Sequence, residues 1–298
     1  MRHHLRLAKR SIRGRFGVFV LVVAASNGCY RLGGKDIFEV PFAPMSATTL
    51  AELSDQHHHV QKLTIETAPS LSAYWDDGDS ARAVLVFFDG NGYGAEGALR
   101  RMLVPARALG LDLVVFNYYD TGQPRPSMSE MRRVGDALFD AATRLPTPAA
   151  RRVYLGGHSL GSTFALAAAA DRPAKGVFVA APATTGVAML HHQLPATRLV
   201  WLRPDSDYAA FNNLAIAPRV HVPTLVIGST GDEALPPTFT NAVFAALPHD
   251  TANKELILTG VRHSEYFAGE ELWRAVTAFF DLPGEGPFVG YLRPRAPR

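Results

Sequence analysis

Hydrophobic positions along most of the chain fall into two alternating kinds of run. Short, mostly apolar runs are typical of strands buried on both faces of a sheet, and they occupy Ala83–Phe88, Leu111–Tyr118, Arg152–Gly156, Gly176–Ala181, Thr224–Gly228 and Glu255–Thr259. Apolar residues at helical spacing predict helices over Glu96–Leu109, Ser127–Leu145, Leu160–Asp171, Leu235–Leu247 and Glu265–Phe280. Val60–Thr67 and Leu71–Trp75 predict a preceding hairpin. This alternation predicts an α/β fold with a mostly parallel sheet and helices on both faces.

The first 29 residues follow a different pattern. Residues 1–15 are basic and lack acids, residues 16–25 are apolar, and small residues then lead to Cys29. A membrane-spanning helix needs ~20 apolar residues, whereas a basic stretch, a short apolar run and small residues are typical of a secretory signal. The ending resembles a bacterial lipobox, whose cysteine is acylated and becomes the first mature residue. An ordinary cleaved signal and a short membrane anchor are the alternatives, and all three predict export to the bacterial cell envelope.

Composition narrows the classes of protein. The 298 residues are 47% hydrophobic and 19% charged, as in globular proteins. The net charge of +3 provides no strong field for nucleic acid. A single cysteine excludes an internal disulfide framework and a Cys-based zinc site. Glycine and proline breakers in residues 30–58 predict a tether, so that the globular domain comprises residues 59–298.

Three consecutive histidines, His57 to His59, stand just before the first predicted strand. A metal site would need a carboxylate or another histidine held beside them. We expect a polar loop here instead, and no metal site.

A motif of known chemistry lies between the strand Arg152–Gly156 and the helix Leu160–Asp171. Residues 157–161 read Gly-His-Ser-Leu-Gly, and G-x-S-x-G in this setting presents a nucleophilic serine at the edge of the sheet. The glycines permit the sharp turn, and the helix N-terminus directs partial positive charge at the same place. The alternative is a tight turn whose serine caps the helix. We favour Ser159 as a nucleophile.

A serine hydroxyl is a weak nucleophile and needs a base. With this motif the acid and then the histidine follow the serine along the chain. Asp232 and His263 meet that order, each in the loop after one of the last two predicted strands. His263 would take the Ser159 proton and return it to the leaving group, while Asp232 orients the ring. Glu233 is the alternative acid.

A tetrahedral oxyanion needs hydrogen-bond donors. We expect one from the backbone N–H of Leu160, which follows the nucleophile. The other should come from the glycine-rich loop at residues 89–94, directly after the strand Ala83–Phe88. That loop is not a phosphate cradle, because no Lys-Ser/Thr pair follows it.

Four segments resemble α/β-hydrolases, and among them the Bem46-like serine hydrolases. They are FFDGNG at 87–92, GHSLG at 157–161, GSTGDEALP at 228–236 and GVRH at 260–263. The resemblance covers residues 83–280. It implies the α/β-hydrolase fold with about eight strands, a Ser159–Asp232–His263 triad, and oxyanion donors on the backbone of Asn91 and Leu160. It also implies no cofactor.

One position departs from that resemblance. Asp89 stands where the family usually has histidine before the glycine of the oxyanion loop. A carboxylate pointing into the hole would oppose the oxyanion, so we expect Asp89 to turn away and bond the loop backbone.

Residues at about 183–220 separate two predicted strands and predict a cap. Their apolar side chains would suit an acyl or aryl group. We therefore expect a serine hydrolase that cleaves esters or thioesters of small molecules or lipids. Membrane attachment would use Cys29 or the apolar leader. The alternatives are a peptidase or amidase on the same triad, a haloperoxidase- or lyase-like use of it, and a non-catalytic envelope lipoprotein with this fold as a binding module.

Overall fold

The computed structural model describes residues 30–38, 40–65, 71–194 and 202–280. The predicted leader at 1–29, with Cys29, lies outside these residues. The strands of the described part are β1 (Tyr30–Leu32), β2 (His58–Leu63), β3 (Ala73–Gly78), β4 (Ala83–Phe88), β5 (Leu111–Phe116), β6 (Val153–His158), β7 (Val177–Ala180), β8 (Leu202–Pro204), β9 (Thr224–Ser229) and β10 (Lys254–Leu258). None of the helices within these ranges is long and apolar enough to cross a membrane.

Eight of these strands form one sheet, in the order β10-β9-β7-β6-β4-β5-β3-β2. From β10 to β5 every neighbouring pair is parallel, while β3 runs antiparallel to both β5 and β2. The predicted mostly parallel sheet is thereby confirmed. All six residues of β4, of β5 and of β6 are buried, which explains why these strands read as continuous apolar runs.

The main helices are α1 (Ala47–Leu53), α2 (Ala95–Ala108), α3 (Met128–Ala142), α4 (Leu160–Asp171), α5 (Gly186–Gln193), α6 (Ser206–Ala209), α7 (Asn213–Ile216), α8 (Pro237–Ala245) and α9 (Glu270–Phe280). α3 packs against α4, whereas α2 contacts the turn Tyr266–Ala268 that precedes α9. Right-handed crossovers on the two sides of β4 place α2 and α3 on opposite faces of the sheet. The carboxyl ends of the parallel strands therefore share one edge, between the two helical layers.

A local sequence signal explains where α3 begins. Ser127 accepts a hydrogen bond from the backbone of Glu130 (3.1 Å) and the Glu130 carboxylate accepts one from the Ser127 N–H (2.7 Å), so the predicted capping box starts α3. Other predicted boundaries are off by a few residues. β2 begins at His58, so His58 and His59 belong to a strand and not to the expected loop. α9 begins at Glu270, after the short turn, and not at Glu265.

The prediction and the structure differ most at residues 30–58, which we expected to form a tether. We name residues 30–46 the N-terminal strap. Three of its side chains, Leu32, Ile37 and Phe38, are at most 2% exposed. The Phe38 ring packs on Tyr118 and Phe164, with centroids 5.4 and 6.1 Å away. The breakers do prevent long elements here, but single apolar side chains still anchor the segment to the core.

The region predicted as a cap, about 183–220, contains α5, β8, α6 and α7 in its described part. β8 pairs in parallel with β1 of the strap, and Tyr208 and Phe211 are buried. The strap and this region therefore support each other. That the region covers a binding site stays a prediction.

Candidate active site

Ser159 lies in the sharp turn between β6 and α4. Its backbone is in a positive-φ conformation (φ 52°, ψ −120°) that non-glycine residues rarely adopt. The glycines on either side are sterically required. A Cβ on Gly161 would lie 2.0 Å from the carbonyl oxygen of Phe88, and one on Gly157 would lie 2.7 Å from that of Gly161. The turn therefore packs directly against the end of β4 and raises Ser159 at the carboxyl edge.

Three side chains meet at this edge. The Nε2 atom of His263 lies 3.0 Å from the Oγ of Ser159, and its Nδ1 lies 2.9 and 3.1 Å from the two carboxylate oxygens of Asp232. Asp232 follows β9 and His263 follows β10, so neighbouring strands hold them together. Asp232 and His263 are each 7% exposed. Charge-assisted hydrogen bonds in such a dry setting are strong.

Several donors fix the Asp232 carboxylate. It accepts hydrogen bonds from the backbone of Ala234 (2.9 Å) and Leu235 (2.8 Å) and from the Tyr266 hydroxyl (3.0 Å). Burial alone would raise the pKa of Asp232, but hydrogen bonds from His263 and these backbone groups hold it below the usual value. Asp232 is therefore ionised at neutral pH. The alternative acid, Glu233, accepts a hydrogen bond from the backbone N–H of His263 (3.3 Å), whereas Asp232 is the acid that meets the ring.

A second histidine supports the first. His158, the last residue of β6, lies with its Nε2 3.0 Å from the carbonyl oxygen of His263, and the two ring centroids are 4.9 Å apart. Burial lowers the pKa of His158 to about 4, so its ring is neutral and Nε2 donates to that carbonyl. Sequence reasoning gave His158 no role, because it stands at a variable position of the motif.

The glycine-rich loop at 89–94 lies against the serine. A Cβ on Gly90 would lie 3.4 Å from the Cβ of Ser159. Leu160 is the first residue of α4, and its N–H therefore has no partner in the helix's own ladder. The Asn91 side chain donates a hydrogen bond to the carbonyl of Ile37 in the strap (2.6 Å). The structure thus brings the two expected oxyanion segments to Ser159 and links one of them to the strap.

The Asp89 carboxylate bonds the loop backbone, as its departure from the family pattern led us to expect. Its Oδ1 accepts a hydrogen bond from the Gly90 N–H (2.6 Å) and pairs with Arg101. The Tyr118 hydroxyl, whose pKa burial raises, donates to the carbonyl oxygen of Asp89. Neither partner could be predicted from the sequence.

Two grooves of the described residues lie apart from Ser159, Asp232 and His263. One of about 680 Å³ runs along α3 and is lined by Tyr119, Arg133 and Arg172, among others. Arg172 is paired with Asp140 through two hydrogen bonds (2.8 and 3.1 Å). Within the described ranges, no cluster of three or more His, Cys, Asp or Glu side chains could hold a metal ion.

Comparison with protein-family models finds no match. Among curated proteins, the chain is 28% identical over 194 residues to uncharacterized proteins of Mycobacterium tuberculosis, strains CDC 1551 and H37Rv. The match covers 63% of this chain and 65% of theirs, so it spans just under two thirds of the length of these relatives.

Solved structures share the fold at low sequence identity. An esterase of Pyrococcus furiosus matches with a TM-score of 0.64 and 16% identity, over 81% of this chain and 96% of its own. A dienelactone hydrolase of Anabaena variabilis matches with a TM-score of 0.54 and 17% identity, over 74% and 93%. A monoacylglycerol lipase of Paleococcus ferrophilus gives 0.52 and 18%, over 76% and 98%. The chain has the α/β-hydrolase fold.

Proposed function

We propose that this protein is a serine hydrolase that cleaves carboxylic ester or thioester bonds through an acyl-enzyme on Ser159. The observation that carries the proposal is the hydrogen-bonded series Asp232–His263–Ser159, with contacts of 2.9 and 3.0 Å. Three proteins that share the fold, the esterase, the dienelactone hydrolase and the lipase described above, are hydrolases, which supports the proposal. The geometry satisfies what acyl transfer requires: a nucleophile, a base within reach and an acid that orients the base.

In the proposed reaction, the Oγ of Ser159 attacks the substrate carbonyl carbon while its proton passes to Nε2 of His263. The carbonyl oxygen becomes an oxyanion, which the backbone N–H groups of Leu160 and Asn91 stabilise. The intermediate collapses, the bond to the alcohol or thiol breaks, and His263 protonates that leaving group. Water then attacks the acyl-enzyme with His263 again as base, which releases the acid and restores Ser159.

The buried Asp232 stabilises the imidazolium that forms in both halves of this reaction. Because it is ionised and held by several donors, it provides a fixed negative charge at Nδ1 and selects the tautomer whose Nε2 can accept a proton. The substrate would be an acyl ester or thioester of a small molecule or a lipid, and the triad needs no cofactor. Amides are a harder substrate for the same groups.

The first test is labelling with a fluorophosphonate, which reacts with activated serines. The wild-type protein should be labelled, while Ser159→Ala and His263→Ala should lose labelling and hydrolyse p-nitrophenyl esters about 10⁴-fold more slowly or worse. Ser264→Ala is the matched control, because this serine adjoins His263 in the same loop, and it should be labelled normally. A folded wild-type protein without labelling would contradict the proposal and favour a non-catalytic binding module.

We also propose that the protein is exported to the cell envelope and attached to the membrane through Cys29 or the apolar leader. The support is the order of basic, apolar and small residues in 1–29. Metabolic labelling with a palmitate analogue, compared between wild type and Cys29→Ala, tests the lipoprotein form. Absence of label in a membrane-bound wild type would leave the apolar leader as the anchor. Recovery of the full-length protein in the cytosol alone would contradict export.

A further inference from the structure

The glycine-rich loop at 89–94, which we call the oxyanion loop, begins at a buried acid. Asp89 directly follows β4 and is 5% exposed. Its Oδ1 accepts the Gly90 N–H, while its Oδ2 is buried without a hydrogen-bond partner among the described residues. A buried carboxylate is costly unless a positive charge compensates it. The stability of the loop therefore depends on the residue that compensates the charge of Asp89.

That partner is Arg101, on the helix that follows the loop. Its guanidinium pairs with Oδ1 of Asp89, and its side chain is 19% exposed. The same guanidinium lies over the Tyr93 ring, 3.9 Å from the centroid, and 5.4 Å from that of Phe267. Asp89 and Tyr93 stand near the two ends of the loop at 89–94. One side chain from α2 thus holds both ends of the loop.

Titratable groups from three elements lie around Asp89. Arg101 on α2 supplies the positive charge. His158 on β6 places Nδ1 3.6 Å from Oδ1 of Asp89, but its low pKa leaves it neutral. Tyr118, in the loop after β5, donates to the Asp89 carbonyl and carries no charge. Arg101 is accordingly the cation that balances Asp89 at this position.

This balance matters because of where Asp89 lies. Its neighbour Gly90 is in contact range of Ser159, so Asp89 adjoins the part of the loop that would face an oxyanion. In a dry site, an uncompensated negative charge would repel that oxyanion. A carboxylate whose charge is neutralised would instead hold the loop in place by accepting the hydrogen bond from the Gly90 N–H.

We propose that Arg101 is a positioning residue of the hydrolase: it neutralises Asp89 and holds the oxyanion loop by its two ends. The proposal rests on the function proposed above. It predicts that loss of Arg101 weakens transition-state stabilisation more than substrate binding. It further predicts that removing the Asp89 charge restores most of what is lost.

The experiment measures kcat and KM for p-nitrophenyl esters in Arg101→Met, Asp89→Asn and the double variant. Arg101→Met should lower kcat about 10- to 100-fold at pH 8 with KM within about threefold, since the lost interaction belongs to the transition state. The double variant should regain kcat to within about fivefold of wild type. Arg100→Met is the matched control, because Arg100 is a half-exposed neighbour paired with Glu96, and it should leave both constants unchanged.

The pH dependence of kcat is a second readout, which a loss of packing alone would not change. Without Arg101, burial should raise the pKa of Asp89, so the acid takes up a proton as the pH falls. The ratio of Arg101→Met to wild-type kcat should therefore rise toward lower pH, whereas the double variant should keep a constant ratio. Arg101→Lys, which retains the charge, should keep most of kcat and gives a second measure if Arg101→Met fails to fold.

Several results would overturn the proposal. They are wild-type kcat in Arg101→Met, a double variant as slow as the single one, a loss confined to KM, or a folded Arg101→Lys as slow as Arg101→Met. Each of these leaves the proposed function intact if fluorophosphonate still labels the wild-type Ser159. An unlabelled, inactive wild type would overturn both proposals. Melting temperatures of all variants separate these outcomes from unfolding.

Discussion

Asp112 is a buried acid at the edge of the sheet opposite Ser159. It is fully buried near the start of β5, where its Oδ1 accepts the Gly78 N–H (2.9 Å) and its Oδ2 lacks a hydrogen-bond partner within the described ranges. Burial raises the pKa of Asp112 to about 7. The folded protein thus keeps a proton that the unfolded chain releases near pH 4. This acid costs stability once it is ionised.

Asp112→Asn should therefore change how stability depends on pH. In wild type, the contribution of Asp112 is fully present below about pH 4 and is lost as the pH rises through about 7. The asparagine retains the acceptor for Gly78 and has no proton to lose. We expect the variant to match wild type near pH 4 and to exceed it by on the order of 2–4 kcal/mol at pH 8. Urea unfolding at several pH values measures this, and a pH-independent difference would contradict it.

The site residues differ in how far the sequence could predict them. Ser159, Asp232 and His263 each lie beyond the end of a predicted strand, and parallel strands bring such positions to one edge, so their meeting follows from the pattern. Arg101 could not be recognised in this way. Arg100 stands beside it in the sequence, and only the rotation of α2 decides which of the two faces Asp89. Whether these groups act as proposed stays a prediction for the kinetic tests.

At the scale of elements, the contact between α4 and β4 sets the position of Ser159. Gly161 allows the first turn of α4 to touch the carbonyl groups of Phe88 and Asp89. Any side chain here must push the helix away from the strand. The position of Ser159 relative to the oxyanion loop is therefore set by this contact between α4 and β4.

Gly161→Ala should thus destabilise the fold by about 3 kcal/mol or more and abolish fluorophosphonate labelling, because its Cβ would meet backbone that cannot move alone. Gly135→Ala, in α3, is the matched control. Its Cβ would lie 3.4 Å from the Phe88 ring, an ordinary contact, and alanine favours a helix by up to about 1 kcal/mol. Thermal unfolding of both variants checks this pair. Equal effects would show that the α4–β4 crossing is not sterically limiting.

Element type was predictable where the apolar period was clear, and element ends were less so. The capping box of Ser127 and Glu130 located the start of α3, because a side-chain signal exists there. Its end at Ala142, and not at Leu145, has no comparable signal. The start of α9 was also missed, since Tyr266 and Phe267 are buried in a short turn whose apolar residues extend the helical pattern.

At the scale of the molecule, the N-terminal strap joins the oxyanion loop to the region between β7 and β9. Ile37 accepts the hydrogen bond from Asn91, and β1 pairs with β8. Its irregular composition predicted a tether, since sequence periodicity cannot detect a segment that is anchored by isolated side chains. Phe38 is the largest of those buried side chains.

Phe38→Ala should destabilise the protein by about 3–5 kcal/mol, as expected for a large aromatic side chain lost from a packed core. It should also slow ester hydrolysis, because Ile37 beside it would hold Asn91 less firmly. Val40→Ala in the same strap is the control. Val40 is 45% exposed, so its effect should stay within about 0.5 kcal/mol. Melting temperatures and initial rates measure both, and a neutral Phe38→Ala would restore the tether interpretation.

The position of β1 limits how far the edge that carries Ser159 could move from an anchor at Cys29. Cys29 adjoins the first residue of β1 in the chain, and seven peptide units from Tyr30 to Ile37 reach at most ~25 Å. An acylated Cys29 would therefore hold the domain close to the membrane surface. The loop at 89–94, which Ile37 contacts through Asn91, would then lie near the bilayer, where apolar esters concentrate because they leave water for the lipid.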